Sequence, residues 1–181
     1  MALRPVSNSD TAINLANEVR AIKENERIVI TNALDEKFLV EPRDYPGLSI
    51  DAAVVIDKMR YSVCYAVQRR VVKPNHLFFP FIHESIKEKV RVDEWFKRTG
   101  AQFIAYYNYT TQSVWLIKTQ SLRELPVVVD RELKEYIPHV NNKVYGFLIS
   151  YHDIDSTEPV LIEVTDEKHQ LGLALAQSLY F

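Results

Sequence analysis

Apolar residues return at helical intervals along "SNSDTAINLANEVRAIKENE" (residues 7–26), where Ile13, Ala16, Val19 and Ile22 share one face and Leu15 flanks it. Capping residues stand in front of this run, so an amphipathic helix of about four turns is predicted. The pattern then changes. "RIVITNAL" is rich in β-branched residues and reads as a strand, with "DEKFLVEP" returning as a second one and "RDYPGLS" turning through Pro46 and Gly47. "SIDAAVVID" and "YSVCYAVQRRVV" are two further strands, joined by the polar tip "DKMR", and the short tip implies antiparallel pairing.

Further along, "HESIKEKVRVDEWFKRTG" reads as a helix stopped by Gly100, and "QFIAYYNY" and "SVWLIKT" as a hairpin around "TTQ". "SLREL" and "DRELKEYI" are short helical pieces. "KVYGFLISY" and "PVLIEVT" are strands on either side of the loop "HDIDSTE", and "DEKHQLGLALAQSL" closes the chain as a helix. No repeat or linker divides these elements. They predict a single α/β (α+β) domain over residues 1–181, a central mixed sheet with an N-terminal helix and helices packed on its faces.

The stretch "VCYAVQRRVV" (residues 63–72) carries the candidate chemistry. Side chains alternate along a strand, so Cys64, Ala66, Gln68 and Arg70 share one face and Val63, Tyr65, Val67 and Arg69 the other. Both faces are apolar up to Val67, as in a central strand covered on both sides. In the preceding strand Asp51 shares a face with Ala53 and Val55. A buried acid in an apolar strand is costly unless it is paired or bound to metal.

The helix with Glu18, the strand "SIDAAVV" with its acid and the strand ending in "VQRR" resemble the core of the PD-(D/E)xK nuclease superfamily, the restriction-endonuclease-like fold shared with Holliday-junction resolvases. "DEWFKRTGAQFIAYYNYTTQSVWLIKTQSL" is similar to the region after that motif. The resemblance covers about residues 9–125, and residues of about 126–181 add a strand pair and a helix. It implies a DNA-acting hydrolase that cleaves phosphodiester bonds with Mg2+. Asp51 stands at the aspartate position, Gln68 at that of the second ligand, and Glu41 or Glu18 would complete the charge around metal or water. Arg70 stands where the family shows lysine. An arginine holds a phosphate with its planar fork but stays charged and is no proton acceptor. The alternative that follows is a non-catalytic nuclease-fold protein, a DNA-binding or structural module in a viral or nucleoprotein assembly. A plainer role also fits the same residues: Asp51 paired with Arg69 or Arg70 across two strands, and Gln68 a strand-end amide.

Composition narrows these readings. With only 4 Gly, the chain has no glycine-rich phosphate loop or dinucleotide fingerprint. The formal net charge of −2 gives no whole-molecule attraction to DNA, so binding would need a local patch. Lys58, Arg60, Arg69, Arg70 and Lys73 supply one, with Tyr61 and Tyr65 interleaved for stacking. The histidines lack zinc spacing, and the single cysteine, Cys64, sits in an apolar run as a small hydrophobe in a reducing compartment. No stretch reaches the ~18 apolar residues of a membrane span. A cytoplasmic protein of cellular, viral or mobile-element origin is expected, with DNA as partner and self-association or a larger assembly left open.

Overall fold

A computed structural model describes the chain over residues 8–45, 49–85, 90–93, 96, 99–139 and 142–164. The first element is longer than its pattern suggested: α1 runs from Asn8 to Asp35 and takes in all of "RIVITNAL", which is therefore helix and not strand. The reason lies in the spacing. Ile22, Glu26, Val29, Ile30, Ala33 and Leu34 are buried on one helical face, while Ile28 between them is 41% exposed. A continuous 3.6-residue stripe against the sheet outweighs the weak β preference of Ile and Val.

The strands are β1 (Leu39–Tyr45), β2 (Ile50–Ile56), β3 (Met59–Gln68), β4 (His76–Ser85), β5 (Val90–Asp93), β6 (Phe103–Asn108), β7 (Ser113–Lys118), β8 (Lys134–His139), β9 (Asn142–Ser150) and β10 (Val160–Glu163). Among the described residues the short helices α2 (Thr119–Arg123), α3 (Pro126–Val129) and α4 (Tyr151–Asp155) join the later strands, and Phe96 is also helical. The first sheet has the order β1-β2-β3-β6-β7-β10 and the second β5-β4-β9-β8. In the first, β3 and β6 run parallel, Val63 beside Phe103 through Gln68 beside Asn108. Its other pairings are antiparallel, as are all those of the second sheet. The chain is thus α+β, with one mixed sheet and one antiparallel sheet.

Residue alternation on β3 and β6 decides the layering. Val63, Ala105 and Tyr107 meet Val29, Ile30, Ala33 and Leu34 of α1. Ala66, Ile104 and Tyr106 meet Leu77, Phe79, Phe147 and Ile149 of the second sheet. The mixed sheet therefore carries α1 on one face, and on the other the second sheet together with Leu122 of α2 and Ile154 of α4. The link from β3 to its parallel neighbour β6 passes through β4 and β5. His83–Ser85 end β4 and Val90–Asp93 form β5, which corrects the first part of the helix read over residues 83–100, whereas Phe96 is helical and 86–89, 94–95 and 97–98 lie outside the described residues; Val90 and Val92 alternate with Arg91 and Asp93, a period of two.

Two smaller departures have local causes. "DRELKEYI" gives β8 instead of a helix, and the helical turn sits upstream, where Pro126 opens α3 with its fixed φ. "HDIDSTE" is not all loop, because the Ser150 hydroxyl accepts from the Asp153 N–H at 3.1 Å and caps α4. Gly146 of β9 is fixed by contact: a Cβ there would lie 2.4 Å from the Phe79 carbonyl oxygen and 2.6 Å from the Phe78 ring. The turn expected at Pro46 and Gly47 and the closing helix expected over 166–179 lie outside the described residues.

Candidate functional site

Where α1 crosses the end of β3, a cleft of about 790 Å³ opens between the helix, the mixed sheet and the β4–β9 pair. Its walls include Arg20, Lys23 and Arg27 of α1, Asp51 of β2, Tyr65 of β3, and Arg69 just past β3. The three α1 cations stand at i, i+3 and i+7, one face of the helix over about 10 Å of its length. Pro80 and His83 of β4 and Val144 of β9 form the opposite side.

Asp51 is the acid of this cleft. Its Oδ1 accepts from Arg27 Nη1 at 3.1 Å, its Oδ2 from the Tyr65 backbone N–H at 2.8 Å, and its carbonyl oxygen from Arg27 Nη2 at 2.8 Å. The β2–β3 ladder ends at Ala52 and Val63, so the carboxylate replaces a missing strand partner for Tyr65. The Arg27 guanidinium also lies 5.9 Å from the Tyr65 ring centre. The Tyr65 hydroxyl lies 2.9 Å from Thr31 Oγ1, which itself donates to the Arg27 carbonyl, so Tyr65 is the donor of that pair. Burial first, with the Asp51 charge adding to it, holds the Tyr65 phenol above its ordinary pKa.

Next along the wall, the Glu26 carboxylate receives Arg69 Nε at 2.7 Å and Nη2 at 2.8 Å, and the Tyr109 hydroxyl at 3.0 Å. The pair ties α1 to the chain leaving β3. Tyr109 is pushed well up from its ordinary pKa, by burial and then by the Glu26 charge.

Gln68 turns the other way. It is 2% exposed, and its Oε1 accepts from the Phe78 N–H at 3.0 Å and the Tyr106 hydroxyl at 3.0 Å, beneath the second sheet. The single Tyr106 hydroxyl proton is shared between this oxygen and the Phe78 carbonyl, which makes the shorter contact. Glu41, on β1, is held by Arg60 Nε at 2.9 and 3.1 Å on the exposed surface, and this contact raises the Arg60 pKa. Arg70 follows β3 half-buried, whereas Lys58 and Lys73 are exposed and, like Arg60, do not line the cleft. Glu18 is exposed on α1.

The structure thus brings Asp51 and Arg69 of the sequence candidates into one cleft and sends Gln68 and Glu41 to other partners. The oxygens of Asp51, Gln68 and Glu41 each accept from different donors. Among the described residues no group of three or more His, Cys, Asp or Glu is gathered as a metal site. Sequence reading missed Arg20, Lys23, Glu26, Arg27 and Tyr109. The i, i+3, i+7 cations were the available signal, hidden once the helix was ended before Arg27. Cys64, across from Asp51, has its thiol pushed up to about 12 by burial first and by the Asp51 charge second, as suits a buried small hydrophobe.

No family model, curated protein or solved structure matches the chain.

Proposed function

We propose that this chain is a divergent nuclease-like protein that holds DNA by its phosphates in the α1 cleft without cleaving it. The observation that carries the reading is the cation row Arg20, Lys23 and Arg27 along one wall of the cleft, facing Arg69 and the Tyr65 ring. A phosphate backbone is bound by such a row through counter-ion release, and an aromatic floor accepts a base. The net charge of −2 does not oppose this, since a field screened over ~8 Å is set locally, where Arg20, Lys23, Arg27 and Arg69 outnumber Glu24, Glu26 and Asp51.

The N-terminal helix, the antiparallel β1-β2-β3 run and the parallel β3–β6 pair support the nuclease-like comparison at the level of the fold. Hydrolysis is disfavoured by Gln68, whose amide oxygen is occupied beneath the second sheet, and by Arg70, which cannot serve as a base.

Fluorescence polarisation with labelled DNA over a salt series tests the binding. The wild type is expected to bind with a steep salt slope, and Arg20→Glu/Lys23→Glu to weaken binding and lower that slope by about 2. No binding at low salt overturns the reading. Magnesium-dependent cleavage of plasmid or branched DNA that disappears in Asp51→Ala overturns its non-catalytic half.

A further inference from the structure

We propose that Arg27 stands where a divalent cation would sit on Asp51, and that phosphate binding in the cleft is therefore independent of metal. The inference rests on the nucleic-acid reading above. Asp51 offers the hard oxygens a magnesium or calcium ion takes, a carboxylate and its own backbone carbonyl. The Arg27 fork spans both, with Nη1 on Oδ1 at 3.1 Å and Nη2 on the carbonyl oxygen at 2.8 Å. Tyr65 N–H takes the remaining carboxylate oxygen. The guanidinium thus meets the need of a partly buried acid that a metal would otherwise meet.

Position and chemistry make Arg27 more than a structural tie. Its side chain is 41% exposed and lines the cleft between Lys23 and the Tyr65 ring, so a bound phosphate reaches it. The guanidinium plane suits a carboxylate and a phosphate together. Unlike a bound cation it cannot be removed by a chelator. The sequence feature is simple: an arginine on the helix face opposite the strand acid, in a chain whose second ligand position is an amide.

The test is DNA affinity, read by fluorescence polarisation in EDTA and in Mg2+ or Mn2+, with folding of each variant checked by circular dichroism. The wild type is expected to bind equally in both. Arg27→Ala should lose about tenfold or more in EDTA, the worth of one charge-assisted contact. Mn2+ should return part of that loss, because Asp51 can then take the ion, and Arg27→Ala/Asp51→Asn should show no return. If Arg27→Ala does not fold, Arg27→Gln serves: it removes the charge and cannot span both oxygens, so the same loss and Mn2+ response are expected. Wild-type binding that collapses in EDTA overturns the proposal, as does full affinity in the Arg27 variants or a loss that Mn2+ never relieves. Absence of wild-type binding in both buffers instead overturns the nucleic-acid reading on which it rests.

Discussion

Glu26 of α1 and Arg69 beyond β3 meet in a two-pronged ion pair, 2.7 and 2.8 Å, with side chains only 3% and 12% exposed. Such a pair is costly to desolvate, and costlier to break from one side. Glu26→Ala is expected to lower stability by about 3–5 kcal/mol, since it strands the Arg69 charge and the Tyr109 hydroxyl. Glu26→Met/Arg69→Met should cost clearly less than Glu26→Ala in urea unfolding. A double substitution as damaging as the single one would show that packing, not charge, holds α1 at this point.

Restoring the nuclease-like pattern should not restore chemistry. In Gln68→Glu/Arg70→Lys the new carboxylate replaces an amide that is 2% exposed and bonded to the Phe78 N–H and the Tyr106 hydroxyl. It would face the second sheet, while Asp51 remains held by Arg27. The expected result is no magnesium-dependent nicking of plasmid DNA, with a stability loss of about 1–3 kcal/mol from the buried charge. Nicking that appears with both substitutions present would mean that the side chain at position 68 can reach the Asp51 side.

The face on which Gln68 lies was legible in the strand alternation, which puts it with Ala66; what covers that face was not. The cover is β4, which begins only at His76, and nothing local to β3 encodes a second sheet arriving from there. The β2–β3 and β6–β7 hairpins were legible because each closes over a short turn between two apolar runs of strand length. The candidate site suffered most from one helix boundary. With "RIVITNAL" read as a strand, Glu26 and Arg27 fell at an apparent helix end, and their shared face with Arg20, Lys23 and the sheet could not be seen. Long-range burial of Val29, Ile30 and Leu34 overrode local β preference there.

Cys64 makes stability depend on alkaline pH. Its thiol is raised from 9.0 to about 12 in the folded chain, so the folded state keeps its proton where the unfolded chain releases it. The contribution is intact below pH 9.0 and is lost as the pH rises from there towards about 12. Cys64→Ala should flatten the decline of denaturation midpoint across that window. In the native protein at neutral pH, a thiol reagent should label Cys64 only at the rate of unfolding. Rapid labelling without unfolding would contradict its burial at 3% exposure.

The β2–β3 hairpin separates stability from binding. Its tip is a two-residue turn in which Asp57 and Lys58 both have positive φ, 50° and 66°. This geometry matches the strand twist but suits glycine far better than lysine, whose Cβ crowds the backbone. Lys58→Gly is expected to raise stability by about 0.5–1 kcal/mol, seen as a higher midpoint in urea or heat. Lys58 does not line the cleft of Arg20, Lys23, Arg27 and Arg69, so DNA affinity in the same preparation should be unchanged. A gain in stability with a fall in affinity would instead extend the phosphate path to the hairpin tip, where Lys58 and Arg60 stand together.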